Sequence, residues 1–194
     1  MVLPSFESAR KLIHLVGGLI PLLYLILNLT KLQALLILGT LAIPFVGADL
    51  LRFWRPTVNR WFCFLFQGAM RPGEEGRLTG ATYYFLACWL TIFMFERTIA
   101  IAALLILACA DTAASVVGQA IGGYRIGQRK TLAGTVAFLT TACLVMLPFF
   151  PLATSFVVAS IAAVTEVLPL PVDDNVTIPL VTGISLTLLR PLSI

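Results

Sequence analysis

Charge is what this chain has least of. Of its 194 residues only 11% are Asp, Glu, Lys or Arg, and His14 is the one histidine. A soluble domain of this length needs far more polar surface, so a water-soluble globular protein is excluded. Cysteine is equally uninformative. Cys63, Cys88, Cys109 and Cys143 are widely spaced and mostly inside apolar runs, with neither ligand spacing nor a disulfide pattern. There is no internal repeat, no low-complexity segment, and nothing that points to a nucleic-acid partner. A small-residue cleavage site is missing too. The first apolar run ends at Leu27-Asn28-Leu29-Thr30-Lys31, which argues for a retained helix over a signal peptide.

What is abundant is apolar sequence, at 59%. Stretches long enough to cross about 30 Å of hydrocarbon as a helix recur along the chain. They predict an all-α, polytopic membrane bundle of one domain, residues 1–194, with about seven transmembrane helices near 12–30, 32–48, 78–95, 98–120, 131–150, 152–170 and 176–193. Pro21, Pro44 and Pro179 fall inside spans, where neighbouring helices can satisfy the freed backbone groups. The long connection from Asp49 to Arg77 carries Trp54, Trp61, Phe62, Phe64 and Phe66 among arginines, so part of it is expected in the interface plane.

The basic residues set an orientation. With the N-terminus cytoplasmic, all of the 13 Lys and Arg except Lys31, Arg97 and Arg190 fall on cytoplasmic segments, as the positive-inside rule requires. Asp49, Glu74, Glu75, Asp173 and Asp174 join them, and Asp111 and Glu166 lie at the cytoplasmic ends of spans. Nearly all ionisable chemistry therefore gathers at one face, which suits a charged, water-soluble ligand meeting the membrane there.

Asp111 is the centre of that pattern. An acid inside a membrane-length helix is costly and implies a task. Asp111, Ser115, Gly118 and Gly122 recur at steps of four, three and four, so they share one helix face. Ala114, Gly118 and Gly122 form a small-residue series that suits close helix packing, within one chain or between two copies. The stretch is thus either a packing stripe or a polar centre that holds Mg²⁺ or a reacting hydroxyl.

The following loop, Gly122-Gly123-Tyr124-Arg125-Ile126-Gly127-Gln128-Arg129-Lys130-Thr131, has a glycine spacing like that of a Walker loop. Gln128 and Arg129 intervene before Lys130, however, and an apolar helix precedes it where a strand is required. It is not a Walker loop. Flexible glycines, the cations Arg125, Arg129 and Lys130, and a helix start after Thr131 still suit a polyphosphate, although topology alone also explains the cations.

Other segments add weaker signals. Arg10-Lys11-x-x-His14 opens the first span, and Asp49-x-x-Arg52 closes the second, where an intrahelical ion pair explains it equally well. Glu75-Gly-Arg77-Leu-Thr79-Gly80 precedes the third and reads as a helix cap or as part of a site. Glu166 leads through Pro169 and Pro171 to Asp173-Asp174-Asn175, acids that favour a helix N-terminus or ligate a hard cation.

Together these residues resemble the CTP-dependent lipid-alcohol kinases, the family of dolichol kinase, phytol kinase and the yeast-type diacylglycerol kinase. The matching pieces are Arg10-Lys11-x-x-His14, Glu75-x-x-Leu78-Thr79-Gly80-Ala81-Thr82-Tyr83-Tyr84, Asp111-x-x-Ala114-x-x-x-Gly118-x-x-x-Gly122, Lys130-Thr131-x-x-Gly134-Thr135, and Glu166 with Asp173-Asp174-Asn175. The block from Asp111 to Gly134 also looks like part of the CDP-diacylglycerol synthases; the Arg-Lys-x-x-His opening and the small size favour the kinase branch.

The resemblance implies transfer of the γ-phosphate of CTP to the hydroxyl of a membrane lipid alcohol with a divalent cation, at a site facing the cytoplasm from a cell or organelle membrane. Arg10, Lys11, His14, Arg77, Ser115, Gly118, Gly122, Arg125, Lys130, Thr131 and Gly134 would then bind nucleotide and phosphate. One or two of Asp111, Glu166, Asp173 and Asp174 would hold Mg²⁺, and Asp111 or Glu166 would act in catalysis. Asp49, Arg52, Glu75 and Asn175 would border the site. Two other functions compete: phosphatidate cytidylyl transfer, and an ion-coupled transporter, against which the lack of paired halves argues.

Overall fold

The computed structural model describes residues 16–66, 70, 74–126 and 130–189. Within them the chain forms eight α-helices and one two-stranded ribbon: α1 (Leu19–Ile26), α2 (Lys31–Leu51), α3 (Pro56–Phe66), α4 (Gly80–Met94), α5 (Arg97–Ile121), β1 (Arg125–Ile126), β2 (Lys130–Thr131), α6 (Leu132–Met146), α7 (Leu152–Val167) and α8 (Asp174–Leu189). The expected all-α class holds among these residues. Of the anticipated spans, α2 with 21 residues and α5 with 25 are long and apolar enough to cross a membrane. The helices α4, α6, α7 and α8 have 15 or 16 residues, and at 1.5 Å per residue reach only about 24 Å. Turn chemistry shortens them: α6 ends ahead of Pro148, and α7 stops before the Pro169–Pro171 segment.

Local sequence explains most helix starts. Thr30 caps α2 in a capping box, its hydroxyl accepting from Gln33 N at 3.3 Å while Gln33 Oε1 accepts from Thr30 N at 2.9 Å. Thr79 caps α4 through Thr82 N and Thr131 caps α6 through Gly134 N. Asp173 serves α8, its carboxylate accepting from Asn175 N at 3.0 Å. Pro44 and Pro179 lie inside α2 and α8, and Pro21 in the first turn of α1.

The helix α5 is the axis of the bundle. It packs on α1, α4, α6 and α8, and its residues from Ile99 to Ala108 are all buried. Ala100, Ala102, Ala103, Ala108 and Ala110 account for this, because small side chains let four neighbours approach one helix. At its N-terminal end Arg97 Nη2 donates to Tyr24 O and Leu25 O, both at 3.1 Å, so a cation closes the C-terminus of α1.

Where α5 crosses α6 the two backbones nearly touch. A Cβ on Gly134 would come to 2.8 Å from Ala114 O and 3.5 Å from Gly118 Cα. Backbone cannot yield there, so Gly134→Ala is expected to cost about 1–3 kcal/mol, as overpacking does. A lowered midpoint in a thermal melt checks it. Gly47→Ala, which meets nothing within 4 Å, should melt no lower than the wild type.

The helix α3 belongs to the Asp49–Arg77 connection. Its Phe62 and Phe66 rings pack on Phe45 of α2, at centroid distances of 5.7 and 5.4 Å. Trp61, Phe64 and Leu65 point away from the bundle and are exposed, as an interfacial helix requires.

Candidate functional site

The ends of six helices meet at one end of the bundle, and the polar residues gather there in two connected clusters. The first is built on Lys130. The glycine turn after α5, with φ of +64° at Gly122 and +88° at Gly123, reverses the chain into the ribbon; such values favour glycine. Arg125 pairs with Thr131 and Ile126 with Lys130 across the ribbon, which delivers Lys130 to the mouth of α6.

The Lys130 ammonium donates to Glu166 Oε1 at the end of α7 and to Asp174 Oδ2 at the start of α8, the latter at 3.2 Å. Burial works against its charge, but Glu166, Asp174 and then Asp111 outweigh burial and hold the ammonium above its ordinary pKa. Asp111 on α5 therefore lies within electrostatic reach of the same lysine. Residues from α5, β2, α7 and α8 converge on one place.

Glu166 is only 3% exposed, and its Oε2 is buried with no hydrogen-bond partner among the described residues. A buried carboxylate oxygen without a donor is costly and marks a place where a cation or donor belongs. No group of three or more His, Cys, Asp or Glu side chains among the described residues is arranged to hold a metal ion. A hard cation that takes one or two protein carboxylates and completes its shell with phosphate oxygens and water still fits Glu166 and Asp174.

The second cluster is buried and built on Asp49 and Arg52 at the end of α2. Asp49 Oδ2 accepts from Thr79 N at 2.9 Å, from the Thr79 hydroxyl at 3.0 Å and from the Thr82 hydroxyl. Asp49 Oδ1 accepts from Arg52 Nε. The rest of the guanidinium donates to Asn59 Oδ1 at 3.2 Å and to the carbonyls of Glu74 at 2.7 Å, Glu75 at 3.0 Å and Arg77. Phe53 and Phe62 lie with ring centroids 4.9 and 5.0 Å from the Arg52 guanidinium carbon. Arg52 thus ties the 3₁₀ turn Glu74–Gly76 and α3 to α2, and Asp49 ties the start of α4 to the same place.

Among the described residues, one side chain joins the clusters. Asn175, next to Asp174, donates from Nδ2 to Gly80 O at 3.1 Å. The first turn of α4 is thereby held against the first turn of α8.

The expected site residues divide along these lines. Asp111, Lys130, Glu166 and Asp174 come together, and Asp49, Arg52 and Asn175 brace them from the side. Asp173 spends its carboxylate on the α8 cap. Gly118 and Gly134 sit at the close crossing of α5 and α6, where Thr131 Oγ1 also fills the contact. Ser115 accepts from Gln119 Nε2 at 3.3 Å on the partly open face of α5. Glu75 and Arg77 contribute their carbonyls to Arg52, and their side chains, like that of Arg125, are exposed. Arg10, Lys11 and His14 lie outside the described residues, as do Arg71, Gly127, Gln128, Arg129 and Arg190. Thr82 and Asn59 were not anticipated in the Asp49 network. The spacing of Thr79 and Thr82 is the one sequence signal for it, since three residues apart they share a helix face.

No family model matches the chain, and no solved structure matches it. Over 132 residues it is 30% identical to CTP-dependent diacylglycerol kinase 1 of Schizosaccharomyces pombe, which covers 67% of this chain and 61% of that protein. It is 32% identical over 114 residues to CTP-dependent diacylglycerol kinase 1 of Eremothecium gossypii, covering 56% of this chain and 36% of that protein. An uncharacterised protein of Rickettsia prowazekii is 27% identical over 196 residues, 95% of either chain. The chain spans less than two thirds of the length of both named kinases.

Proposed function

With kinship to the CTP-dependent lipid kinases as the premise, we propose that this chain is an integral membrane enzyme that moves the γ-phosphate of CTP to the hydroxyl of a membrane lipid alcohol. Diacylglycerol, polyprenol and phytol-type alcohols all present a primary hydroxyl on an apolar body, and any of them suits the reading. The reaction takes place at the cytoplasmic face, where the nucleotide arrives from water and the alcohol through the bilayer.

The convergence of Asp111, Lys130, Glu166 and Asp174 from four segments is the observation that carries this. Phosphoryl transfer asks a protein mainly to position its reactants and to neutralise charge spread over phosphate oxygens. Lys130 is the described cation best set to meet the phosphates, with Arg125 on the same ribbon and Arg10 and Lys11 as further candidates. A divalent cation would supply neutralisation of the charge on the phosphates. Glu166 and Asp174 would hold it. Asp111, half-buried on α5, then accepts the proton of the attacking hydroxyl.

Purified chain, CTP labelled on the γ-phosphate, Mg²⁺ and a panel of lipid alcohols test the proposal. The expected outcome is a labelled phospholipid with CDP released. Release of pyrophosphate with a CDP-lipid formed from phosphatidate would establish the cytidylyl-transfer alternative instead. Label in no lipid under any pairing, with either CTP or ATP, would remove the kinase reading.

A further inference from the structure

Among the described residues, Glu166 and Asp174 share the Lys130 ammonium, and Asp111 lies within its electrostatic reach. That ammonium satisfies Glu166 Oε1 and touches Asp174, while Glu166 Oε2 is buried with no hydrogen-bond partner among the described residues. Lysine carries its charge on a flexible four-carbon stem, so its head can swing several ångströms with no backbone movement. The stem starts from a ribbon only two residue pairs long that leaves a two-glycine turn.

A divalent cation on the Glu166 carboxylate and the Lys130 ammonium on the same group are in direct conflict, because like charges would crowd one carboxyl. A polyphosphate resolves the conflict. It offers Lys130 new anionic partners, and it brings the cation that can replace the lysine on Glu166 and Asp174.

We propose that Lys130 is the counter-ion of this acidic site without nucleotide, and that it makes cation binding conditional on the arrival of a polyphosphate. The lysine is then an order-of-binding residue: cation and nucleotide enter together, and the bare cation is turned away. This rests on the nucleotide reading above, but its test needs neither turnover nor lipid.

The experiment titrates Mn²⁺ alone into the full chain in detergent micelles and reads the loss of the free-ion paramagnetic resonance signal. The wild type should bind weakly. Lys130→Met and Lys130→Gln, each shown to be helical by circular dichroism, should bind at least about tenfold tighter, because a positive charge beside the site is gone. Adding Glu166→Gln to either variant should abolish the gain. Equal Mn²⁺ affinity in the wild type and both variants would overturn the proposal, and so would a gain that survives Glu166→Gln.

The wild type alone also decides. A micromolar Mn²⁺ site present without nucleotide and removed by Glu166→Gln would refute the conditional role. Lipid labelling with no Mn²⁺ difference would discard the lysine's role and keep the kinase. The Mn²⁺ difference with no labelled lipid would do the reverse.

Discussion

Asp111→Asn is expected to lower turnover by about a hundredfold to ten-thousandfold, the range for losing a positioned general base, while leaving the bundle folded. Asparagine keeps the size and the hydrogen-bonding ability of aspartate but can neither take a proton nor carry charge. The position is half-buried on α5, beyond the fully buried run of Ile99 to Ala108. The measurement is the rate of lipid labelling at saturating CTP, beside a thermal melt of the same preparation. Full activity in a variant that melts with the wild type would return Asp111 to a packing role along the Ala114–Gly118–Gly122 stripe.

The second large effect concerns stability. Asp49→Ala should cost about 3–5 kcal/mol, because it leaves a buried guanidinium without its counter-charge. Arg52 is 2% exposed and Asp49 fully buried, so water cannot take over. The substitution also strips the acceptor from Thr79 N and from the hydroxyls of Thr79 and Thr82. The damage should spread along the network. Glu74, Glu75 and Arg77 give their carbonyls to Arg52, and Asn175 reaches the first turn of α4. A sharply lowered melting midpoint, or failure to recover folded protein, is the expected outcome. A variant that melts with the wild type would mean that the pair does not organise this end of the bundle.

These two acids show how unevenly the sequence speaks. Asp111 stands out because an ionised group in an apolar run is expensive wherever the run lies, so no tertiary knowledge is needed to notice it. Asp49-x-x-Arg52 is visible too, but only as an ion pair of local spacing. That the same arginine gathers three carbonyls from the far side of a long connection depends on where α3 and the 3₁₀ turn pack. The Gly118 and Gly134 motifs fit a phosphate site or a close crossing equally well on paper. The distances at α5 and α6 show the close crossing directly.

The all-α class follows from apolar periodicity and from cap residues such as Thr30, Thr79 and Thr131, because both act over a few neighbouring residues. Helix length was legible less well. Predicted spans of about 20 residues overran α6 and α7, whose ends are set by prolines and caps as much as by hydropathy. The short ribbon at Arg125–Thr131 had no sequence signal beyond its glycines.

By itself, the sequence determined that this is an apolar, helical chain with few charges and an acid it had no local reason to carry. Those properties are sums over residues, and a linear chain displays them. The tertiary structure alone decided which charges meet. Lys130 finds Glu166 36 residues on and Asp174 44 residues on, because α5, α6, α7 and α8 alternate in direction and return their ends to one place. Pairings at that separation are written in no local pattern; they exist only once small residues along α5 have let its neighbours close around it.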